Sequence, residues 1–451
     1  PRRAKRGGST MTSASEAAHA PPAPLRVVTF DILRGIAIAV MVFLHNGAFH
    51  LADATAVIAD PPPWLIAFGF LLLWAGLFGV VSGAANAATT VRRLQREAAA
   101  APRPWRYPPG LLGGALQTFA IVFALHWVWT LGVGNSPVTA DPNDPAGRMT
   151  IVPGWMFYGF PPAPHPESYV FASALWMIAA NVLVVSLALR LHYRASPPHA
   201  GDRLRRHLVL LAIAILVATP LLRALLYPPM AALVEAGGFG IVLAVPLALL
   251  VNDPNPVFPF AAYGLVGAVI GASMARGESR SGLYRALGAG GFVLLAAGVA
   301  GLAAAGGFVI ADREAVWGQS PLYFSALAYL LLGLFCWLTS GLLAVFDPPI
   351  EAARIPWRPR WLRPLVRFGR LSLTVFLLEG TVAMGLRLGL DAAAPNWNQS
   401  VASVLAFAAG NLLFWHLALS CWERIDYRGS LEWALARLRR NDDRARALAR
   451  G

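Results

Sequence analysis

Lysine is almost absent from this chain. Lys5 is the only one, the other basic residues are arginines, and Asp, Glu, Lys and Arg together make up only 13% of the 451 residues. A soluble globular chain carries roughly 25% charged residues, so this composition belongs to a polytopic membrane protein. Cysteine is scarce too. Cys336 and Cys421 are the only two, and both fall inside apolar segments. They have neither the loop pairing of a disulfide framework nor the spacing of a zinc site, although the two could still meet within a bundle. No metal-ligand cluster, Walker loop, dinucleotide fingerprint or nucleophile elbow stands out. The paired broken helices of an inverted-repeat transporter are not visible either. A cleavable signal peptide is not expected, because the first apolar run begins near Val27 and is too long for an h-region.

What the chain does have is apolar length. It is 57% hydrophobic with a mean hydropathy of +0.56, and its 15 tryptophans and 10 tyrosines suit interfacial belts or bundle packing. Runs long enough to cross a bilayer occur at about 27–50, 64–88, 110–133, 168–190 and 207–227. Five more lie near 258–276, 283–310, 320–346, 368–390 and 400–422. The expected fold is therefore an all-α polytopic membrane helix bundle of about ten transmembrane helices.

The arginines set the expected orientation. The formal charge is +14, yet no nucleic-acid signature interleaves the basic residues with exposed aromatics. Of the 37 basic residues, all but Arg34, Arg148, Arg223, Arg313 and Arg387 fall in six segments: the tail to Arg26, 89–109, 190–206, 276–285, 347–370 and 424–451. Placing these on one side of the membrane puts both termini in the cytoplasm. The same parity makes residues 237–251, which are apolar, short and interrupted by Pro246, an interfacial or re-entrant piece on the outer side. Residues 134–166 form the longest external connection, with Asp141, Asp144 and His165, and suit a lid or an irregular cap.

Three parts are expected. A flexible N-terminal tail covers 1–26, of which residues 1–10 precede Met11 and are set aside from fold reasoning. A membrane domain covers 27–423, and a basic cytoplasmic tail covers 424–451. In that last tail Leu431 to Ala447 has the spacing of a surface-lying amphipathic helix.

Ionisable residues inside spans are costly and call for an explanation. Arg34 and His45 are eleven residues apart in the first run, so on a helix they share one face and lie ~16 Å apart along the axis. His45 can serve as general base or acid, or accept an acyl group, and the structural alternative is a packing hydrogen bond. Arg34 can pair with Asp31 as an interfacial anchor, or bind an anionic group such as a phosphate of a nucleotide-like donor. Glu379 sits mid-span and needs a partner, for which Arg34, His45 and Arg387 are candidates. It could orient an imidazole as a triad carboxylate does, or be protonated and inert. His50 is a second candidate at the end of the first run. His126 and His416, each alone, read as structural.

The stretch Phe78 to Asn86, with Ser82 inside it, is rich in small residues. Close helix packing is the default reading, and room for a thin substituent between helices is the functional one. Arg92 and Arg93 follow as a cationic mouth for phosphates, or simply as a topology signal.

Asp31-x-x-Arg34-Gly35-x-Ala37 running to His45 resembles the arginine and histidine first helix of the integral-membrane acyltransferase 3 proteins. Phe78 to Gly83, Phe258 to Gly264 with Gly267 and Gly271, and Gly369-Arg370-x-Ser372-Leu373-x-Val375-Phe376 resemble bacterial heparan-alpha-glucosaminide N-acetyltransferase-like proteins. Tyr427 to Trp433 is similar to the close of a third related group of poorly known function. The resemblance implies a bundle that moves an acyl group, usually acetyl, from cytoplasmic acyl-CoA to an acceptor at the far face. Arg34 would hold the donor side or brace the site, with Ser82, Arg92 and Arg93 as further donor contacts. His45 would activate the acceptor hydroxyl or amine, with Glu379 beside it. The chain departs from the heparan-type pattern in having Glu379 where those proteins commonly have histidine, and Phe376-Leu377 where they have an aromatic-tryptophan pair.

The expected protein is thus an acyl-CoA-dependent acyltransferase of the bacterial inner membrane. Acetyl-CoA is its expected co-substrate, and no metal is needed. Its expected partners are membrane lipid and an envelope carbohydrate or lipid acceptor, with no nucleic acid and a homodimer left open. The alternative is a non-enzymatic transporter of a small anionic solute, or an envelope-assembly scaffold.

Overall fold

The structure is a computed structural model that describes residues 27–52, 72–100, 107–134, 149–194, 201–252, 254–306, 320–347 and 360–437. Among these residues every named element is helical, and the one β-type contact is an isolated bridge between Ala172 and Pro254. In order the helices are α1 (Val28–Ala48), α2 (Gly76–Ala100), α3 (Pro109–Trp127), α4 (Ile151–Tyr158), α5 (Pro166–Val170), α6 (Ala174–Tyr193) and α7 (Gly201–Ala236). They continue as α8 (Phe239–Val251), α9 (Val257–Ala275), α10 (Arg280–Ala304), α11 (Pro321–Phe346), α12 (Arg363–Arg370), α13 (Ser372–Ala393) and α14 (Val401–Glu423). Nine stretches among the described residues are long and apolar enough to cross a membrane; they lie in α1, α3, α6, α7, α9, α10, α11, α13 and α14. The expected run at 64–88 begins outside the described residues.

Several boundaries differ from the sequence reading, each for a visible reason. α2 continues to Ala100, through what read as a loop, because Val91 and Leu94 are fully buried while Arg92, Arg93 and Arg96 alternate around them. α7 has 36 residues, about 54 Å at 1.5 Å each, and so outruns a ~30 Å hydrocarbon core. α8 has 13 residues, too few to span, as its length and Pro246 suggested. The run expected from 368 breaks at Leu371, so that α12 is a separate short helix carrying Arg363, Arg367 and Arg370. Of the long connection 134–166, α4 is an ordered helix, and Asp141 and Asp144 lie outside the described residues, as does the tail to Arg26. The last described residues, 431–437, are helical, and the remainder of the expected amphipathic segment lies beyond them.

Two helices that lack capping side chains of their own borrow carboxylates. α1 begins after Val27, so the Thr29 amide and hydroxyl donate to Asp347 at the end of α11. α13 begins after Leu371, and the Leu373 and Thr374 amides donate to Glu432 at 2.7 and 3.2 Å. The motif Tyr427 to Trp433 therefore folds back to close the start of α13. Arg223, buried inside α7, donates to the Val251 carbonyl at the C-terminal end of α8 and lies over the Phe324 ring at 3.8 Å. A cation is favoured at a helix C-terminus, and the aromatic face replaces water around the guanidinium.

The glycine motifs resolve into helix crossings. A Cβ at Gly83, Gly267 or Gly271 would overlap the carbonyls of Gly264, Val80 and Ala84, so α2 and α9 touch backbone to backbone. Gly35 and Gly369 do the same for α1 and α12, against the carbonyls of Leu365 and Asp31. The α2–α9 crossing is thereby filled, and no space for a threaded substituent remains there.

Candidate functional site

α1 and α13 meet along a seam that carries the ionisable groups. His45 lies near the C-terminal end of α1, and Glu379 is in the first half of α13. His45 Nδ1 and Glu379 Oε1 are 2.7 Å apart, the Glu379 side chain is fully buried, and His45 keeps 19% of its side-chain surface. Of the three partners open to Glu379 from the sequence, the fold selects His45. A buried carboxylate within a span is costly unless it is bonded. The contact fixes the orientation of the imidazole ring through Nδ1. Phe49 stacks on the His45 ring at 5.0 Å and limits its rotation.

A second pair lies two turns further along α13. Arg387 Nη1 donates to His50 Nδ1 at 3.3 Å, Arg387 Nε donates to Asp391 at 3.3 Å, and the Phe157 ring of α4 lies 5.0 Å from the guanidinium. Asp391 also accepts from Trp397 Nε1 at 2.6 Å, and Asn398 donates to the His50 carbonyl at 3.0 Å. The seam thus holds two imidazoles, one against the Glu379 carboxyl group and one against the Arg387 guanidinium, closed at one end by α4 and the α13–α14 turn. Between them α3 ends in a π-helical turn, Val128–Val133, whose last carbonyl accepts from Thr381. Such turns recur beside functional sites.

The other sequence candidates stand apart from this seam. Arg34 faces Asp31 at 3.8 Å with 31% of its side chain exposed, at the opposite end of α1 from His45. Ser82 donates to the Gly79 carbonyl within its own helix, and Arg93 pairs with Glu97 at 3.0 Å one turn on. Arg92 lies beside it, partly buried. His126 is bonded through Nδ1 to Ser173 at 2.8 Å and Thr130 at 3.2 Å, while its buried Nε2 has no hydrogen-bond partner among the described residues. Phe78 and Phe376, from two different motifs, meet edge to face at 6.4 Å, and Trp129 lies 5.2 Å from Phe376.

Sequence reasoning did not foresee the His50–Arg387 pairing or the parts of Asp391 and Trp397. The i, i+4 spacing of Arg387 and Asp391 was readable, but nothing local links either to residue 50. The cysteines do not pair: Cys336 is buried and Cys421 exposed. Among the described residues no group of three or more His, Cys, Asp or Glu could hold a metal ion. No protein-family model matches this chain, and no curated protein matches it.

Proposed function

We propose that this multi-pass membrane protein is an acyltransferase that moves an acyl group, acetyl by preference, from acyl-CoA to a hydroxyl or amine of a cell-envelope carbohydrate or lipid. The observation that carries the reading is the His45–Glu379 contact, an oriented imidazole backed by a sealed carboxylate inside a helical bundle. In this reading His45 Nε2 takes the proton of the acceptor while the acceptor oxygen or nitrogen attacks the thioester carbonyl. The tetrahedral intermediate then expels the CoA thiolate, which receives that proton from the imidazolium. Glu379 holds the imidazolium in place and offsets its charge.

The donor would approach from the arginine-rich side. Arg34, ~16 Å from His45 along α1, would engage its anionic portion, and Arg92 and Arg93 would extend that positive surface. The segregation of arginines supports an orientation with both termini cytoplasmic, in what this reading takes to be a bacterial inner membrane. The acceptor would then meet His45 near the opposite face.

The test is acetyl-CoA binding and turnover by the full chain in detergent or nanodiscs, beside His45→Ala, Glu379→Gln and Arg34→Ala. The reading expects CoA release that is lost in His45→Ala with the fold intact, and weaker CoA binding in Arg34→Ala. Absence of CoA binding by well-folded wild type would sink it and return the protein to the transporter or scaffold class.

A further inference from the structure

The last turn of α6 meets the first turns of α7, where the His192 and His207 rings lie 5.6 Å apart. One face of each helix is sealed: Leu189 and Tyr193 of α6 and Leu204 and Leu208 of α7 are fully buried in the same core. The opposite face of each is open, and it is ordered along its length. On α6 the exposed residues Leu187, Leu191 and Arg194 fall at i, i+4 and i+7, and Arg194 caps the helix with helical dihedrals. On α7 the exposed residues Arg203, Arg206, Leu210 and Ile213 fall at i, i+3, i+7 and i+10. Both sealed faces turn to one core and the imidazoles join the helices, so both open faces look outward on the same side.

The two stripes have the same order. Arginines stand where the apolar stretches end, just past Tyr193 and from Arg203 onward, and leucine or isoleucine lies beneath them. From Arg203 to Ile213 is ~15 Å at 1.5 Å per residue, about half of a ~30 Å hydrocarbon core and so the depth of one leaflet. Arginine at the end of a span also serves to orient it, but orientation needs only charge in the adjoining loop. It does not need cations and exposed apolar residues aligned on one helical face, nor two such faces side by side.

We propose that the outward side of the α6–α7 pair binds a phospholipid of net negative headgroup charge from the leaflet at that end of the bundle. The phosphate lies among Arg194, Arg203 and Arg206, whose guanidinium forks match its oxygens, and an acyl chain follows Leu191, Leu210 and Ile213. A soluble phosphate would answer the arginines and leave the apolar stripe without a role. A zwitterionic headgroup would bring an ammonium into the same cationic rim, which sets the preference for an anionic lipid. The inference stands without acyl transfer.

The experiment uses the full chain in phosphatidylcholine liposomes doped with one of two probes. Both carry the same diazirine-bearing acyl chain, one on a phosphatidylglycerol and one on a phosphatidylcholine headgroup, with adducts located by peptide mass spectrometry. The anionic probe is expected to label 187–213 several-fold more than the zwitterionic one does, while Phe292 and Val293, exposed on α10, take up both equally. An arginine near an anionic surface is worth roughly fivefold in affinity, so Arg194→Gln, Arg203→Gln and Arg206→Gln should each reduce the excess. The triple variant should remove it, but it also lowers the charge that orients the chain, so the single variants carry the test. Equal labelling of 187–213 by both probes overturns the proposal and leaves the arginines as an orientation signal. Displacement of the anionic probe by inorganic pyrophosphate at constant ionic strength overturns it in favour of a soluble phosphate. A disulfide-linked dimer through Leu210→Cys with no labelling of this face overturns it in favour of a second copy.

Discussion

Two helix crossings in this bundle are built on opposite principles. α2 meets α9 through absent side chains, with Gly83, Gly264, Gly267 and Gly271 bringing backbone against backbone. α1 meets α13 through long polar side chains, His45 with Glu379 and His50 with Arg387. The first crossing gains dispersion and excludes everything, including any ligand. The second is held by groups that must be bonded to be tolerated at all, and it keeps part of His45 accessible. Motif residues occur in both, so membership of a motif does not by itself mark chemistry; the kind of contact does.

The sharpest way to break the first crossing is a side chain at Gly267. Gly267→Leu is expected to cost about 3 kcal/mol or more, at or above the usual range for overpacking, because the obstruction is the Val80 carbonyl and cannot rotate away. Loss of monodisperse protein in mild detergent, or a lowered unfolding midpoint, would show it. A stable Gly267→Leu variant would mean that α2 and α9 are not in close contact.

The second crossing should respond differently. Arg387→Leu strips His50 and Asp391 of their cation and is expected to destabilise on the order of 3 kcal/mol, since a buried charge network is broken at one member. Adding Asp391→Asn should recover part of that loss, because the carboxylate no longer needs the guanidinium. If the double variant is as unstable as the sum of the two single ones, the groups are not coupled.

Glu379→Gln separates structure from chemistry. The amide is nearly isosteric and its oxygen can still accept from His45, so the unfolding free energy should move by only about 1 kcal/mol. Turnover in the proposed reaction should fall by ~10²–10⁴-fold, because the imidazolium loses its counter-charge. An unchanged rate would reduce the His45–Glu379 contact to packing.

What the sequence could reveal follows the same division. The existence of the apolar spans, the break in character at 237–251 and the arginine bias depend on local composition, and all were legible. The need of Glu379 for a partner was also legible, because a carboxylate inside a span is expensive wherever it falls. Which partner it takes was not, since 334 residues separate it from His45 and only the tertiary fold brings them together. The same holds for Asp347 capping α1 and Glu432 capping α13, where each helix start lacks its own capping side chain. α2 was cut short because Arg92, Arg93 and Arg96 read as a loop. Helical periodicity at Val91 and Leu94, both fully buried, was the signal that outweighed the charge.

The smallest expected effect tests whether the surface beyond both crossings has a function. Arg93 and Glu97 form an i, i+4 pair with 42% and 36% of their side chains exposed. Such exposed pairs contribute ~0–1 kcal/mol, so Arg93→Ala should leave the unfolding midpoint almost unmoved. If Arg93 also receives donor phosphates, CoA affinity in the same variant should fall and its salt dependence should flatten, because one charged contact is gone. Glu97→Ala frees the guanidinium from its partner and should shift CoA affinity the opposite way. Two variants with unchanged affinity would leave the pair as a helix-surface contact and a topology signal, and would move the donor site back to Arg34.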